Sequence, residues 1–562
     1  MTADGERPAT AIDEIMDRFL DDHAKLDPIM ATTFGVTGHD TDLPDLSPDA
    51  RADVSALRRQ TLAALDEAEP ADAVDRATVA AAREQLTVSE LIRATGAEES
   101  WLNNIDSPVQ TVRQVFDLMP TSTLEDWEAI GTRLGKVPAT IASYIASLSF
   151  AAARDTVSPQ RQVVAATRQS LANAGADGFF ATLAEKASTD RSLPRSLRTY
   201  VQHNAQQAAD AYQTLATFLG EELFAQASAD DPVGEERYAL FARHHLGTSP
   251  DLAEAYEWGQ AELSRISAQR RTTAERIKPG STVQEAMAHL TEDPARRLSG
   301  VAALQAWLQE KADSAVAALA GTHFDIPEPL RTLECRIAPA DGGIYYTGPS
   351  DDFSRPGRMW WPEPAGVTEF STWREVSTVY HEGVPGHHLQ VGQTVYRRDV
   401  LNRWRRLGSW VSGHGEGWGL YAEQLMAELG FLDDPGDLLG MLSSQSFRAV
   451  RVVLDVGMHC GLDAPAEVGG GRWTDEKAMS LLRAHTSKSE ERLRYELDRY
   501  LGLPGQAASY KLGERAWLRL REDVRAIEGD SFDLKDFHRR ALDVGSVGLD
   551  VLSAAVLGEF DN

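Results

Sequence analysis

The stretch that most restricts this 562-residue chain is Tyr380-His381-Glu382-Gly383-Val384-Pro385-Gly386-His387-His388-Leu389-Gln390. The run before it, Thr372 to Val379, reads as a helix. Thr372 and Glu375 have the spacing of a capping box, and the apolar residues after them keep helical intervals. A regular helix cannot pass Pro385, which has no N–H for the carbonyl of His381 and whose ring crowds that turn. In an unbroken helix His387 would point about 240° around from His381, and His388 would share its face about 10 Å along the axis. A two-residue bulge at Pro385-Gly386 removes the conflict and returns His387 to the side of His381. Two neutral imidazoles with a carboxylate beside them suit a zinc hydrolase. The imidazoles hold Zn2+, and Glu382, as general base, takes a proton from the activated water. His388 is then an outer or substrate contact.

The string His-Glu-x-x-Pro-Gly-His-His-Leu-Gln resembles the signature of the bacterial family called domain of unknown function 885. That family is grouped with all-helical zinc peptidases such as thimet oligopeptidase, angiotensin-converting enzyme and the Taq-type carboxypeptidases. The resemblance covers residues 330 to 525 in specific motifs and the N-terminal half only in helical character. It implies a third metal ligand at the start of a second helix. Glu416, in Ser412-Gly413-His414-Gly415-Glu416-Gly417-Trp418-Gly419, matches that place 29 residues beyond His387. Glu423, two turns on, shares its face and fits a partner that orients a ligand histidine. The resemblance also implies a tyrosine hydroxyl that donates to the oxyanion of a tetrahedral intermediate. Tyr510 takes that role by analogy, with Tyr500 as the alternative. Lys511 or Arg499 could hold a substrate carboxylate.

One helix carries a second signal. Arg448, Arg451, Asp455 and His459 fall on one face of Ser446–Leu462, while valines and Leu454 cover the others. Such a stripe faces solvent or lines a polar cleft, and the apolar surroundings favour the cleft. Arg451, Asp455 and His459 are then outer or substrate contacts, and Asp455 with His459 is the rival metal pair.

Elsewhere helical spacing dominates, over 8–27, 48–69, 72–97, Thr121–Ser149, Ser158–Ala174, about 192–228, 235–244, 249–276, 281–292 and 297–320. Ser107-Pro108 is a helix start with its cap, and Ala229–Gly234 is a loop within one architecture. The β signal is Leu330–Pro339 and Gly343–Thr347, joined by Ala340-Asp341-Gly342 as a hairpin. The resemblance gives such an edge strand the task of pairing with a substrate backbone. Gly348 through Trp361 reads as a loop at the cleft mouth.

These readings give a mainly α fold: a large helical zinc-metallopeptidase-like architecture over 1–562, with a deep cleft and a small sheet. Residues 1–320 form a helical half, and 321–562 carry the metal-site motifs. Lys+Arg of 56 against Asp+Glu of 85 leaves −29, which argues against nucleic acid or an anionic membrane as partner. The polar N-terminus and the two separate cysteines, Cys335 and Cys460, lead to the expectation of a cytoplasmic protein with ordinary thiols. The expected substrate is a short peptide or other small amide. The alternatives are hydrolysis of a non-peptide amide such as an antibiotic conjugate, and a binding protein that kept the scaffold without catalysis.

Overall fold

The N-terminal helices begin where a short polar side chain can take up a free amide of the first turn. Thr10 and Asp13 cap Ala11–Leu26 reciprocally, Asp72 caps Ala73–Ala94, and Ser107 with Gln110 starts Pro108–Gln114. This computed structural model describes residues 7–338, 343–363 and 366–561, and among them the protein is mainly helical. Two large apolar clusters organise it. One gathers Trp127, Tyr144, Phe180 and Tyr212 around the Arg195–Thr217 helix. The other runs from Ile12 to Val556, so the first and last helices share one core. The Ala229–Gly234 segment is a loop, as expected.

Most expected helices form within a few residues of their predicted ends. Two helical ranges differ: Thr121–Ser149 is split into Leu124–Leu134 and Val137–Ala152, and 297–320 becomes a helix only from Val301. Arg297–Ser299 is instead a strand, β1, paired antiparallel with Glu369–Ser371. The capping box at Thr372 does not form. Ser371 holds the N-cap position of the Thr372–Glu382 helix, while the Thr372 hydroxyl donates to the carbonyl of Arg296 and Glu375 accepts from the Trp361 indole.

The hairpin is also corrected. β2 (Leu333–Ala338) and β3 (Tyr345–Thr347) do not pair with each other. β4 (Gly357–Pro362), from the segment expected as a loop, lies between them, parallel to β2 and antiparallel to β3. Met359 and Trp361 explain the insertion, since alternate residues of β4 are buried against Leu304 and Leu308. The turn at Ala340-Asp341-Gly342 lies outside the described residues. No helix of the described residues is long and apolar enough to cross a membrane. Cys335 is buried, Cys460 partly so, and neither forms a disulfide.

Candidate metal centre

At the His-Glu string the chain does more than bulge. The Thr372–Glu382 helix stops, Gly383–Gly386 form a connector, and a new helix starts at His387 and runs to Tyr396. The connector keeps its backbone satisfied: Gly383 donates to Val379, Gly386 to Tyr380 and His388 to Gly383, at 2.8, 3.0 and 3.1 Å. A Cβ at Gly386 would stand 1.9 Å from the carbonyl oxygen of His381, so only glycine fits this fold-back. The Trp418 indole locks it by donating to the carbonyls of Pro385 and Gly386 at 2.9 and 3.2 Å.

That turn places His387 across from His381, with ring centroids 4.8 Å apart and planes nearly perpendicular. Glu416, on the Ser412–Glu428 helix, completes the group. Its Oε2 is 3.4 Å from Nε2 of His381 and 3.8 Å from Nε2 of His387. Ligand atoms of all three residues lie within 4.8 Å of one another. Three donors about 2.0–2.1 Å from one tetrahedral ion would be about 3.4 Å apart, so the set fits zinc.

The surrounding glycines have defined tasks. A Cβ at Gly419 would meet the His381 ring at 2.5 Å, and one at Gly417 would meet the backbone of Gly513 at 2.4 Å. The absent side chains let the Glu416 helix approach both the imidazole and the Gln506–Glu528 helix that carries Tyr510. Glu423 accepts from Nδ1 of His381 at 2.9 Å, which turns Nε2 toward Glu416. Burial pulls the His381 imidazole down, but hydrogen bonds to Glu416 and Glu423 outweigh it and lift it to about 10. Burial pushes Glu416 up, yet His381 and His387 hold its carboxyl well below the ordinary range. Nδ1 of His387 is buried without a hydrogen-bond partner among the described residues.

Glu382 is 7% exposed and forms no side-chain hydrogen bond among the described residues. Burial raises its pKa, with the charges of His387 and His381 opposing. His388 points elsewhere. Its Nε2 donates to the carbonyl of Leu330 at 2.8 Å, and its Nδ1 accepts from the Tyr346 hydroxyl at 3.0 Å. Both ring nitrogens are thus occupied and tie the His387 helix to Leu330 and to β3.

Tyr510 lies beside the cluster. Burial and then the Glu416 charge raise its pKa, so the hydroxyl stays protonated and able to donate. The Arg451 guanidinium sits 4.8 Å over its ring. Asp455, His459, Tyr500 and Lys511 all make contacts within the framework. Asp455 accepts the amides of Gly505 and Ala508 at 3.2 and 3.0 Å, and so caps the Tyr510 helix. His459 donates to the carbonyl of Tyr500 at 3.0 Å and accepts from the Val233 amide at 3.3 Å. Asp455 and His459 are almost wholly buried in these contacts, and neither belongs to the His381–His387–Glu416 group. The Tyr500 hydroxyl accepts from Arg451 at 3.3 Å. Lys511 donates to Gln445 at 2.6 Å and is ion-paired with Glu262 and Glu514.

The outer edge of β2 is covered as well. Gln309 accepts from the Cys335 amide and donates to the Leu333 carbonyl, while Gln305 donates to the Cys335 carbonyl. Sequence reasoning missed these glutamines, Tyr346 and Trp410. None carries a local signal, because each matters only through partners distant in the chain.

The family described as "Bacterial protein of unknown function (DUF885)" matches residues 28–556. The chain belongs to DUF885. Two solved structures share the fold. A candidate lipoprotein from Colwellia psychrerythraea has TM-score 0.84 and 25% identity, over 99% of this chain and 100% of that one. A candidate lipoprotein of unknown function from Shewanella oneidensis has TM-score 0.75 and 17% identity, over 98% and 100%. No curated protein matches the chain. The neighbours overturn the expectation of a cytoplasmic protein, since lipoproteins are held at a membrane by an attached lipid.

Proposed function

We propose that this DUF885 member is a zinc-dependent hydrolase of amide bonds in short peptides, related to the all-helical zinc peptidases. The observation that carries the reading is the convergence of His381, His387 and Glu416, with an unbonded Glu382 carboxylate adjacent in sequence to the first ligand. His381, His387 and Glu416 would hold the ion, and Glu423 fixes the ring of His381. Bound zinc supplies Lewis acidity toward the carbonyl and acidifies a water.

Glu382 takes the proton from that water and later returns it to the leaving amine. Its raised pKa makes it a better proton acceptor than an exposed carboxylate. The Tyr510 hydroxyl, kept protonated, donates to the developing oxyanion. Arg451 over its ring and Asp455 at its helix start keep that hydroxyl in place. The likeness to candidate lipoproteins supports a setting outside the cytoplasm.

Elemental analysis followed by a mass-spectrometric digest of mixed short peptides tests the reading. It expects one zinc per chain and new peptide termini that disappear with a chelator. Active protein without a transition metal, or zinc-loaded protein inert on every peptide, refutes it.

A further inference from the structure

Trp410 is 48% exposed, which is unusual for so large an apolar side chain six residues before a candidate metal ligand. Its position is built. A Cβ at Gly415 would stand 2.2 Å from the indole Cη2, so the ring lies on the helix start immediately before Glu416. Its centroid is 6.2 Å from the His387 ring, with the planes tilted by 60°. One part of the indole is therefore seated against the Glu416 helix and the His387 ring, while nearly half of the residue's surface stays open to solvent beside the ion site. An open aromatic surface at that place offers a substrate group dispersion and ring–ring contact, and it gives a polar group nothing.

We propose that Trp410 determines specificity: it is the apolar wall that receives an aromatic or large aliphatic side chain on the substrate residue flanking the cleaved amide. The proposal rests on the hydrolase reading and adds to it the substrate class, peptides with a bulky apolar residue next to the scissile bond. Glycine at 415 is part of the device, since any side chain there lifts the indole from its seat.

The test compares two probes, L-phenylalanine hydroxamate and L-alanine hydroxamate, bound by the zinc-loaded full-length protein and measured by calorimetry. The wild type is expected to prefer the phenylalanine probe by about tenfold or more, within the range an apolar pocket contributes. Trp410→Ala should reduce that ratio to within about threefold of unity while leaving zinc content and alanine-probe binding unchanged. Trp410→Phe should fall between, and Gly415→Ala should lower the ratio with Trp410 still present. Ile527, 73% exposed on the Tyr510 helix, gives the control Ile527→Ala, which should leave the ratio at the wild-type value.

An unchanged ratio in Trp410→Ala overturns the proposal and leaves the hydrolase reading standing, as does a wild type that binds both probes equally. A protein that takes up no zinc overturns both. The same preference should appear in the peptide digest as bulky apolar residues beside the cut, lost in Trp410→Ala.

Discussion

Two adjacent histidines, His387 and His388, offer a sharp test because the structure gives them opposite tasks. His388 is fully buried and makes two hydrogen bonds, one to the Leu330 carbonyl and one from the Tyr346 hydroxyl. His388→Ala removes both and leaves two polar groups short of a partner. At about 1–3 kcal/mol for each such group, the variant should lose about 4 kcal/mol of folding stability and keep its zinc. His387 has a buried Nδ1 without a partner among the described residues, and its Nε2 faces Glu416. In metal-free protein, His387→Ala leaves the mostly buried Glu416 carboxylate with one imidazole beside it instead of two, which should cost about 1–3 kcal/mol. Its larger effect is on the ion. Loss of an outer partner typically lowers metal affinity about 10- to 100-fold, and loss of a direct donor should lower it further, so dialysed His387→Ala should hold almost no zinc. Urea titration of metal-free proteins and elemental analysis of dialysed samples read the two effects separately. If His388→Ala loses the metal at wild-type stability while His387→Ala retains it, the assignment of the two rings is wrong.

Glu382→Gln should retain zinc and lower the turnover rate by about 10²-fold or more, measured on any peptide the digest identifies. Near-normal turnover moves the base to another group, Glu423 being the first to test. Tyr510→Phe should lower kcat and leave KM nearly unchanged if its hydroxyl acts only on the oxyanion, and a variant changed only in KM makes Tyr510 a binding residue. The fold should be acid-labile. Burial holds His388 and His459 at about 4, and His414 and His538 at about 3. The unfolded chain takes up protons near pH 6.5 that these folded imidazoles refuse, so their stability contribution is complete above that pH and is lost as pH falls toward 4. At pH 5 each represents about 2 kcal/mol of lost stability. Thermal melts between pH 7.5 and 5 at constant ionic strength should show a steep fall in Tm, and a flat profile refutes the reasoning.

Local physics made much of this protein legible from its residues alone. Helical spacing and capping residues marked most of the helices, because both act within one or two turns. The break after Glu382 was visible in Pro385 and Gly386, since ring sterics and glycine's freedom operate on the residues that carry them. The same break, read from the residues, pairs His381 with His387, and the resemblance to a known family points to Glu416 and Tyr510.

What the chain hid were the partners that folding brings from afar. β4 displaced the expected hairpin because burial of Met359 and Trp361 against Leu304 and Leu308 outweighs a local turn. A charged stripe on the Ser446–Leu462 segment looks the same whether it lines a cleft or braces a fold. Only packing shows that Asp455 caps the Tyr510 helix and that His459 bridges Val233 and Tyr500. Lys511 and His388 follow the same logic. A side chain's type sets what it can bind, but its role is decided by which of its valences the tertiary structure has already filled.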